Sequence, residues 1–506
     1  MAIDGIPDTR VRDENDKNDG NPGAAAAPTS DGPGAPWAGK AGKAGKTGKS
    51  GWAAVRPLLL RLHFYAGVLI APLLFLAAVT GLLYALSFQA EKIIYSDELT
   101  VAKVGQSALP LSEQVKAAQE AAPKGEVVGV WPGPDAEATT RVVMESPEVG
   151  AEETLTVFVD PYTAEVRGKL ATSGDALPLR AWLSEFHASL QLGESGRIYS
   201  ELAASWMWVV ALGGLALWIG RRRDRKAQLL VPDRKAAPGR RRTLSWHGAV
   251  GLWAAAGLVV LSATGLTWST YAGENIGQLQ DRLGGATPSV SASIGGGADA
   301  GADEHAGHKI DADGNMVMPP RVDVGVDKVL AAARAAGVTE SVQITMPANG
   351  KGYVVKERDK TFPVHLDAVS VDPADGRVMD ELRFADYPLL AQLTRFGIDV
   401  HMGLLFGLVN QLALAALAIG LMFLVFWGYR MWWLRRPTKE RALSVGRAQP
   451  RGAWRKLPVT VLLPLAAVTA LVGWFVPLLG ISLVAFLVVD VLLGLVAGRR
   501  DKAAAA

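Results

Sequence analysis

Six apolar runs, at roughly 58–88, 200–220, 247–271, 402–434, 457–476 and 479–497, constrain this chain more than anything else in it. Each approaches or exceeds the ~20 residues a helix needs to cross a hydrocarbon core of ~30 Å. Backbone amides find no water to bond in lipid, so such runs become helices rather than open strands or loops. Mean hydropathy over the 506 residues is +0.19. A water-soluble chain of this length rarely averages above zero, which excludes a set of soluble domains.

Two long polar regions, 89–199 and 272–400, interrupt the runs, and both hold more acids than bases. The short loops are the reverse. Segment 221–246 carries ten Lys/Arg against two acids, and 435–456 carries eight against one. The excess of short-loop cations predicts that these loops are cytoplasmic, with the long regions outside and both termini inside. Trp206, Trp208, Trp268, Tyr271, Trp432 and Trp433 stand near run ends, as interfacial aromatics do. The first 50 residues are dominated by Asp, Asn, Gly, Ala and Pro, then by Lys40, Lys43, Lys46 and Lys49. That composition predicts a disordered tail and is too polar and long for a signal-peptide start. A net charge of +3 gives nucleic-acid binding no electrostatic support.

An internal repeat organises the chain. His63, Gly67, Thr80, Gly81 and Leu82 recur as His247, Gly251, Thr264, Gly265 and Leu266, all at an offset of 184. His187 and Gly193 recur as His401 and Gly407 at 214. Val159-Asp160-Pro161 with Val166 recurs as Val371-Asp372-Pro373 with Val378 at 212. Each half then reads as helix, outer domain, helix. In the outer domains, helical spacing at 111–122 and 324–336 precedes strand-like stretches near 126–131, 139–145, 154–160 and 164–170, and near 340–346, 352–357, 362–371 and 376–382. Gly-, Ala- and Asp-rich 273–318 reads as a flexible insertion.

The chain has no cysteine, which excludes disulfides, thiol catalysis, cysteine-held Fe–S clusters and C-x-x-C-H haem attachment. Histidine remains as the common strong nitrogen ligand, and there are seven. Four of them, His63, His187, His247 and His401, stand at the starts of predicted spans. The repeat makes His63 and His247 one pair near the cytoplasmic face, and His187 and His401 another near the outer face. Two bis-histidine b-type haems need two histidines at one depth on different helices, twice over. Gly67 and Gly251, four residues after their histidines, share a helix face with them and would let a macrocycle approach. Gly193 and Gly407 follow at six. Arg61, Arg242, Arg180, Arg197 and Arg395 are candidate propionate partners. A lone histidine at a helix start ordinarily caps carbonyls or faces interfacial water; four at repeated positions favour ligation. A continuous helix from His187 to Arg221, or from His401 to Arg435, would run ~51 Å, longer than the hydrocarbon core. That places the outer pair at or above the interface.

Weaker signals stand apart. His305 and His308 form a loose metal-binding candidate inside the insertion. Asp311-Ala-Asp313-Gly-Asn315 imitates a calcium loop but lacks its twelfth-position Glu and reads as a turn. His365 reads as structural. Asp490, a lone acid in the sixth run, is either a proton carrier or a packing partner. No dinucleotide fingerprint, P-loop, nucleophile elbow or H-E-x-x-H is present.

Arg61-Leu-His63-Phe-Tyr-Ala-Gly67 with Thr80-Gly81 resembles the first helix of the PepSY-associated transmembrane family. Phe186-His187 through Gly193 with Gly196-Arg197 resembles its second, Ser245-Trp246-His247 its third, and Val400-His401-Met402-Gly403 its fourth. The Val-Asp-Pro turns resemble PepSY strand connections. The resemblance covers about residues 56–436. It implies an iron-regulated membrane protein similar to the di-haem ferric-siderophore reductases. The long tail, the insertion and two further carboxy-terminal spans depart from that pattern.

The expected fold is an α-helical membrane bundle of six transmembrane helices in duplicated halves, with two small α+β PepSY-like extracytoplasmic domains. The expected division is a tail at 1–55, helix 1 at 56–88, an outer domain at 89–186, and helices 2 and 3 at 187–271. A second outer domain at 272–400, helix 4 at 401–436, and helices 5 and 6 at 437–506 complete it. The expected function is electron transfer through two b-type haems to a ferric chelate outside, from a quinol or a separate cytoplasmic reductase. Two alternatives stand beside it. One is a non-enzymatic sensor or scaffold that binds a peptide or protease partner. The other is a copper-handling membrane protein using His305 and His308.

Overall fold

The computed structural model describes residues 51–221, 227–294, 323–348, 350–435, 452 and 457–505. The first 50 residues, His305, His308 and the turn at Asp311–Asn315 lie outside the described residues. In chain order the first half runs α1 (Gly51–Leu69), α2 (Ala71–Ile94), α3 (Ser96–Leu99), α4 (Leu111–Ala121), β1 (Glu126–Trp131), β2 (Thr140–Glu145), β3 (Thr154–Val159), β4 (Val166–Thr172), α5 (Pro178–Ser189) and α6 (Gly193–Arg221). The second runs α7 (Ala227–Leu230), α8 (Arg240–Leu266), α9 (Tyr271–Arg282), α10 (Gly325–Ala335), β5 (Val342–Thr345), β6 (Tyr353–Glu357), β7 (Ala368–Val371), β8 (Val378–Leu382), α11 (Leu389–His401), α12 (Gly407–Trp433), α13 (Val459–Phe475) and α14 (Pro477–Ala505).

Among the described residues, five helices are long and apolar enough to cross a membrane: α2, α6, α8, α12 and the Pro477–Val496 part of α14. The fifth of the six expected spans, α13, is apolar but only 17 residues long, just short of that length. Pro477 ends it: a residue before proline is pushed out of the helical region, and Val476 sits at φ −117°, ψ 84°. The first run, expected as one helix from 56, begins at Gly51 and breaks at Ile70. Pro72 has no N–H to give the Val68 carbonyl, and the Tyr429 hydroxyl donates to that carbonyl instead at 2.8 Å.

The expectation that His187 and His401 begin the second and fourth spans is also corrected. They end short helices, α5 and α11, and the spans start afresh at Gly193 and Gly407. Left-handed residues make both breaks: Leu190 (φ 54°), Gln191 (φ 59°) and Gly193 (φ 58°) in one, Gly403 (φ 77°) and Gly407 (φ 53°) in the other. The reversals remove the 51 Å helix that continuity would require.

Strands from both polar regions join one antiparallel sheet of order β4-β3-β2-β1-β5-β6-β7-β8. Two separate outer domains are therefore not what forms. The seam is β1 against β5, where Gly129 pairs with Thr345 and Val130 with Ile344. A side chain on Gly129 would stand 3.3 Å from the Ile344 carbonyl, so this close approach favours glycine. One face of the sheet packs Val130, Ile344, Val355, Val369 and Val371 with Leu111 of α4 and with Val329 and Ala333 of α10. Val142, Met144 and Val157 pack with Ala118 of α4. Strand side chains alternate, so Trp131, Arg141, Phe158 and Arg358 fall on the other face. The bundle buries Ala66, Leu74, Ala203, Ala254, Leu258 and Leu424 along its axis. Helix α14 joins it through Trp206 Nε1, which donates to Ser482 Oγ at 2.9 Å, and through an ion pair between Arg61 and Asp490. Asp490 is thus a helix-packing partner.

Candidate functional site

The bundle brings the four histidines together as two facing pairs. The rings of His63 (α1) and His247 (α8) have centroids 6.3 Å apart at 73°. Those of His187 (α5) and His401 (α11) lie 6.5 Å apart at 54°. The former are called the far pair and the latter the sheet-side pair. His247 and Thr264, which contacts His401, are 17 residues apart on uninterrupted α8, ~25 Å along its axis. The same 17 residues separate His63 from Thr80, which contacts His187.

All four rings use Nδ1 internally. His63 Nδ1 lies 3.0 Å from the Val210 carbonyl and His247 Nδ1 3.1 Å from the Leu424 carbonyl. His187 Nδ1 lies 2.8 Å from Thr80 Oγ1 and His401 Nδ1 2.7 Å from Thr264 Oγ1. Such contacts fix a ring and its tautomer, as outer-shell partners of metal-bound imidazoles do. No internal hydrogen bond to Nε2 is present in any of the four among the described residues. A metal–imidazole bond of about 2.0 Å, and about 1.1 Å more to the ring centre, puts two imidazoles trans on one metal about 6.2 Å apart between centroids. Both pairs are within a few tenths of an ångström of that separation.

The far pair borders a cavity of about 270 Å³. Gly67 and Gly428 line it, and a side chain at either would project into open space. Opposite His63 the fit is tight, since a Cβ on Gly214 would stand 2.8 Å from His63 Cε1. Arg56, Arg221, Arg240 and Arg435 also line this cavity, and sequence reasoning missed all four. Their signal was the repeat: Arg56 and Arg240 are related by the offset of 184, Arg221 and Arg435 by 214. Of the expected propionate partners, Arg61 pairs with Asp490, Arg180 with Glu91 and Arg395 with Asp399, so these three are engaged by carboxylates. Arg242 and Arg197 are exposed and do not border the cavity.

The sheet-side pair is positioned by polar contacts at the ends of its short helices. The Arg180 amide donates to Glu91 Oε1 at 2.8 Å, tying the start of α5 to the end of α2. Arg395 holds Asp399 with two bonds of 2.8 Å within α11. Asp175, just before α5, pairs with Arg358 at 2.8 Å and Lys360 at 2.5 Å. Burial works to raise its carboxyl, but Arg358 and Lys360 outweigh burial and hold it well below the usual carboxylate range. His365 forms a backbone bridge with Asp359 and belongs to neither pair. Among the described residues no three of His, Asp and Glu converge as a metal cluster; the histidine arrangement is one of pairs.

The family model of the PepSY-associated TM region matches residues 60–435, about three quarters of the chain. The chain belongs to this family. It is a membrane protein whose matched region contains all four paired histidines and the whole sheet. No curated protein matches it.

Proposed function

We propose that this PepSY-associated protein transfers electrons across the membrane, and that His63 and His247 would hold one b-type haem and His187 and His401 a second. The observation that carries the reading is the double pairing: two histidine pairs, each at the separation of trans ligands, each with Nδ1 engaged. When bound, haem supplies reversible one-electron chemistry at its iron. The chain's part is to bring the rings together in pairs, to keep each ring from turning through its Nδ1 contact, and to surround the far pair with glycines and arginines. Four arginines at one cavity suit the carboxylates of a porphyrin.

The basic loops 221–246 and 435–456 support an orientation with both termini cytoplasmic in the plasma membrane and the sheet outside. Electrons would come from a membrane quinol or a cytoplasmic reductase and leave to a ferric chelate at the sheet end. Fe(III) reduced to Fe(II) is held less firmly by hard oxygen ligands, which gives such a transfer its use in iron acquisition. The repeat supports descent of the two halves from a duplicated helix–strands–helix unit.

The test is purification from haem-replete cells, oxidised and dithionite-reduced spectra, and a pyridine haemochrome assay. Two b-type haems per chain are expected, falling to about one in His63→Ala and in His401→Ala. A folded, haem-free protein from cells with ample haem would sink the reading.

A further inference from the structure

The sheet face turned away from α4 and α10 carries a cationic cleft that the histidine pairs do not use. Trp131 is the cross-strand neighbour of Arg141, and Arg141 of Phe158, so the three form a row over β1, β2 and β3. Trp131 and Arg141, with Arg180, Arg358, Lys360 and Leu404, border a cavity of about 290 Å³. Leu404 is three residues past His401, and Arg180 is seven before His187 on α5, ~10 Å along that helix. The Phe362 amide donates to the Leu405 carbonyl at 2.8 Å, fastening the 358–361 wall to the turn after α11. The cleft therefore stands on the segments that hold the sheet-side pair.

Its charges do not balance. Asp175 serves both Arg358 and Lys360, and Glu91 serves Arg180 at 3.2 Å. Asp359 also lines the cleft, and its carboxylate accepts the Thr361 amide at 2.9 Å. Among the described residues Arg141 has no carboxylate partner and no side-chain hydrogen bond; the Phe158 ring lies 5.6 Å from its guanidinium. Burial, with Arg358 and Arg180 nearby, pulls its pKa down to about 10. Trp131 is only 6% exposed, its Nε1 has no hydrogen-bond partner among the described residues, and the Arg358 guanidinium sits 3.9 Å over its ring. Unpaired buried donors and an unbalanced cation are costly unless an acceptor joins them. Guanidinium forks match carboxylates with two parallel bonds. Several cations around one cavity suit a ligand bearing several carboxylates.

We propose that this cleft binds a small polycarboxylate, and that the electron acceptor is accordingly an anionic ferric polycarboxylate docked among Arg141, Arg358 and Lys360. The second clause rests on the electron-transfer reading; the anion site does not. In the transfer, one electron originating from the quinol or reductase converts Fe(III) to Fe(II). The chelate gains one negative charge, no covalent bond is made or broken, and the weakened iron–oxygen coordination releases the metal.

The test uses the full-length haem-loaded protein in detergent without phosphate buffer. Calorimetric titration with citrate and with inorganic phosphate at equal ionic strength reads the site. Reduction of ferric citrate by the pre-reduced protein reads the acceptor. Citrate is expected to bind, about tenfold or more weakly in Arg141→Gln, more weakly also in Lys360→Gln, and partly restored in Arg141→Lys. Haem content should stay at the wild-type level, and the ferric citrate concentration that half-saturates the rate of haem reoxidation should rise with the limiting rate little changed. Absence of citrate binding, or binding indifferent to both lesions, overturns the site. Phosphate binding as tight as citrate overturns the polycarboxylate assignment. Haem loss in Arg141→Gln with citrate binding intact gives the arginine to a haem propionate and overturns the proposal. Arg141-dependent citrate binding in a two-haem protein that reduces no ferric citrate supports the site and removes the acceptor clause.

Discussion

His63 and His247 meet backbone carbonyls through Nδ1, whereas His187 and His401 meet threonine hydroxyls. A carbonyl only accepts, so the far pair must carry its protons on Nδ1. A hydroxyl can give or take, and the helix decides which. Thr80 Oγ1 lies 3.0 and 3.1 Å from the Leu76 and Ala77 carbonyls, and Thr264 Oγ1 2.8 and 3.3 Å from those of Val260 and Leu261. Each threonine has carbonyls on its own helix that can take its proton, which frees its oxygen to accept from the imidazole. With the proton on Nδ1, both arrangements put the lone pair on Nε2, which is the form a metal needs. They differ in where the constraint is stored. In the far pair it lies in backbone that no side-chain substitution removes. In the sheet-side pair it lies in two hydroxyls that can be deleted.

The largest expected break of this comparison comes from sterics. A Cβ at position 214 would meet His63 Cε1 at 2.8 Å, and the ring cannot retreat without stretching its bond to Val210. At the sheet side, a Cβ at 265 would meet His401 Cε1 at an ordinary 3.5 Å. Gly214→Ala should weaken binding of the haem proposed at the far pair by about 10–100-fold, the range for a disturbed ligand shell, and leave the haem proposed at the sheet-side pair in place. Gly265→Ala should leave both. Haemochrome content and reduced-minus-oxidised spectra read the difference. Equal, full occupancy in both variants would mean that ring packing at Gly214 is irrelevant to the site.

Much of this pairing is legible in the sequence, because a repeat preserves the spacing of the histidines even when their surroundings drift. His63 with His247 and His187 with His401 follow from the offsets 184 and 214 alone. The breaks in the helices are less legible. Apolar residues continue on both sides of Ile70, so hydropathy reads through the kink and only Pro72 marks it. Leu190 and Gln191 are poor advertisements for left-handed backbone, which usually selects glycine. The β1–β5 seam joins strands more than 200 residues apart and depends on a close approach at Gly129 that no local pattern encodes. Arg221 and Arg435 were hidden among the many cations of their loops. Arg61 found its partner in Asp490, 429 positions away, where local spacing says nothing.

A smaller break comes from chemistry rather than shape. Valine replaces threonine with nearly the same volume and no acceptor, so Thr80→Val and Thr264→Val each leave an imidazole N–H unpaired. Losing such an outer-shell partner should weaken the sheet-side haem about tenfold and shift its midpoint potential, while the far haem keeps its own. Serine at either position supplies the hydroxyl again and should restore wild-type behaviour. A redox titration resolving the two haems checks this. Shifts of equal size in both would show that the threonines act on the bundle as a whole.

The smallest effect sharpens the comparison by pH. Asp175 has its folded-state pKa depressed, with Arg358 and Lys360 prevailing over burial. A depressed carboxylate contributes stability that is complete above its ordinary value near 3.8 and is lost as pH falls below it toward the folded value. The contribution is modest, because the Asp175 side chain is 38% exposed and its ion pairs are screened. Its position gives it a direction. It fastens the 358–361 segment to the start of α5, which carries His187, and that segment does not border the far pair's cavity. Acidification from pH 4 toward pH 2 should therefore disturb the sheet-side haem spectrum before the far one. Asp175→Asn should show the disturbance already at neutral pH and lose its additional acid dependence. Simultaneous loss of both haem signals on acidification, in wild type and variant alike, would mean that the two pairs share a single unfolding event and that the Asp175 clamp does not distinguish them.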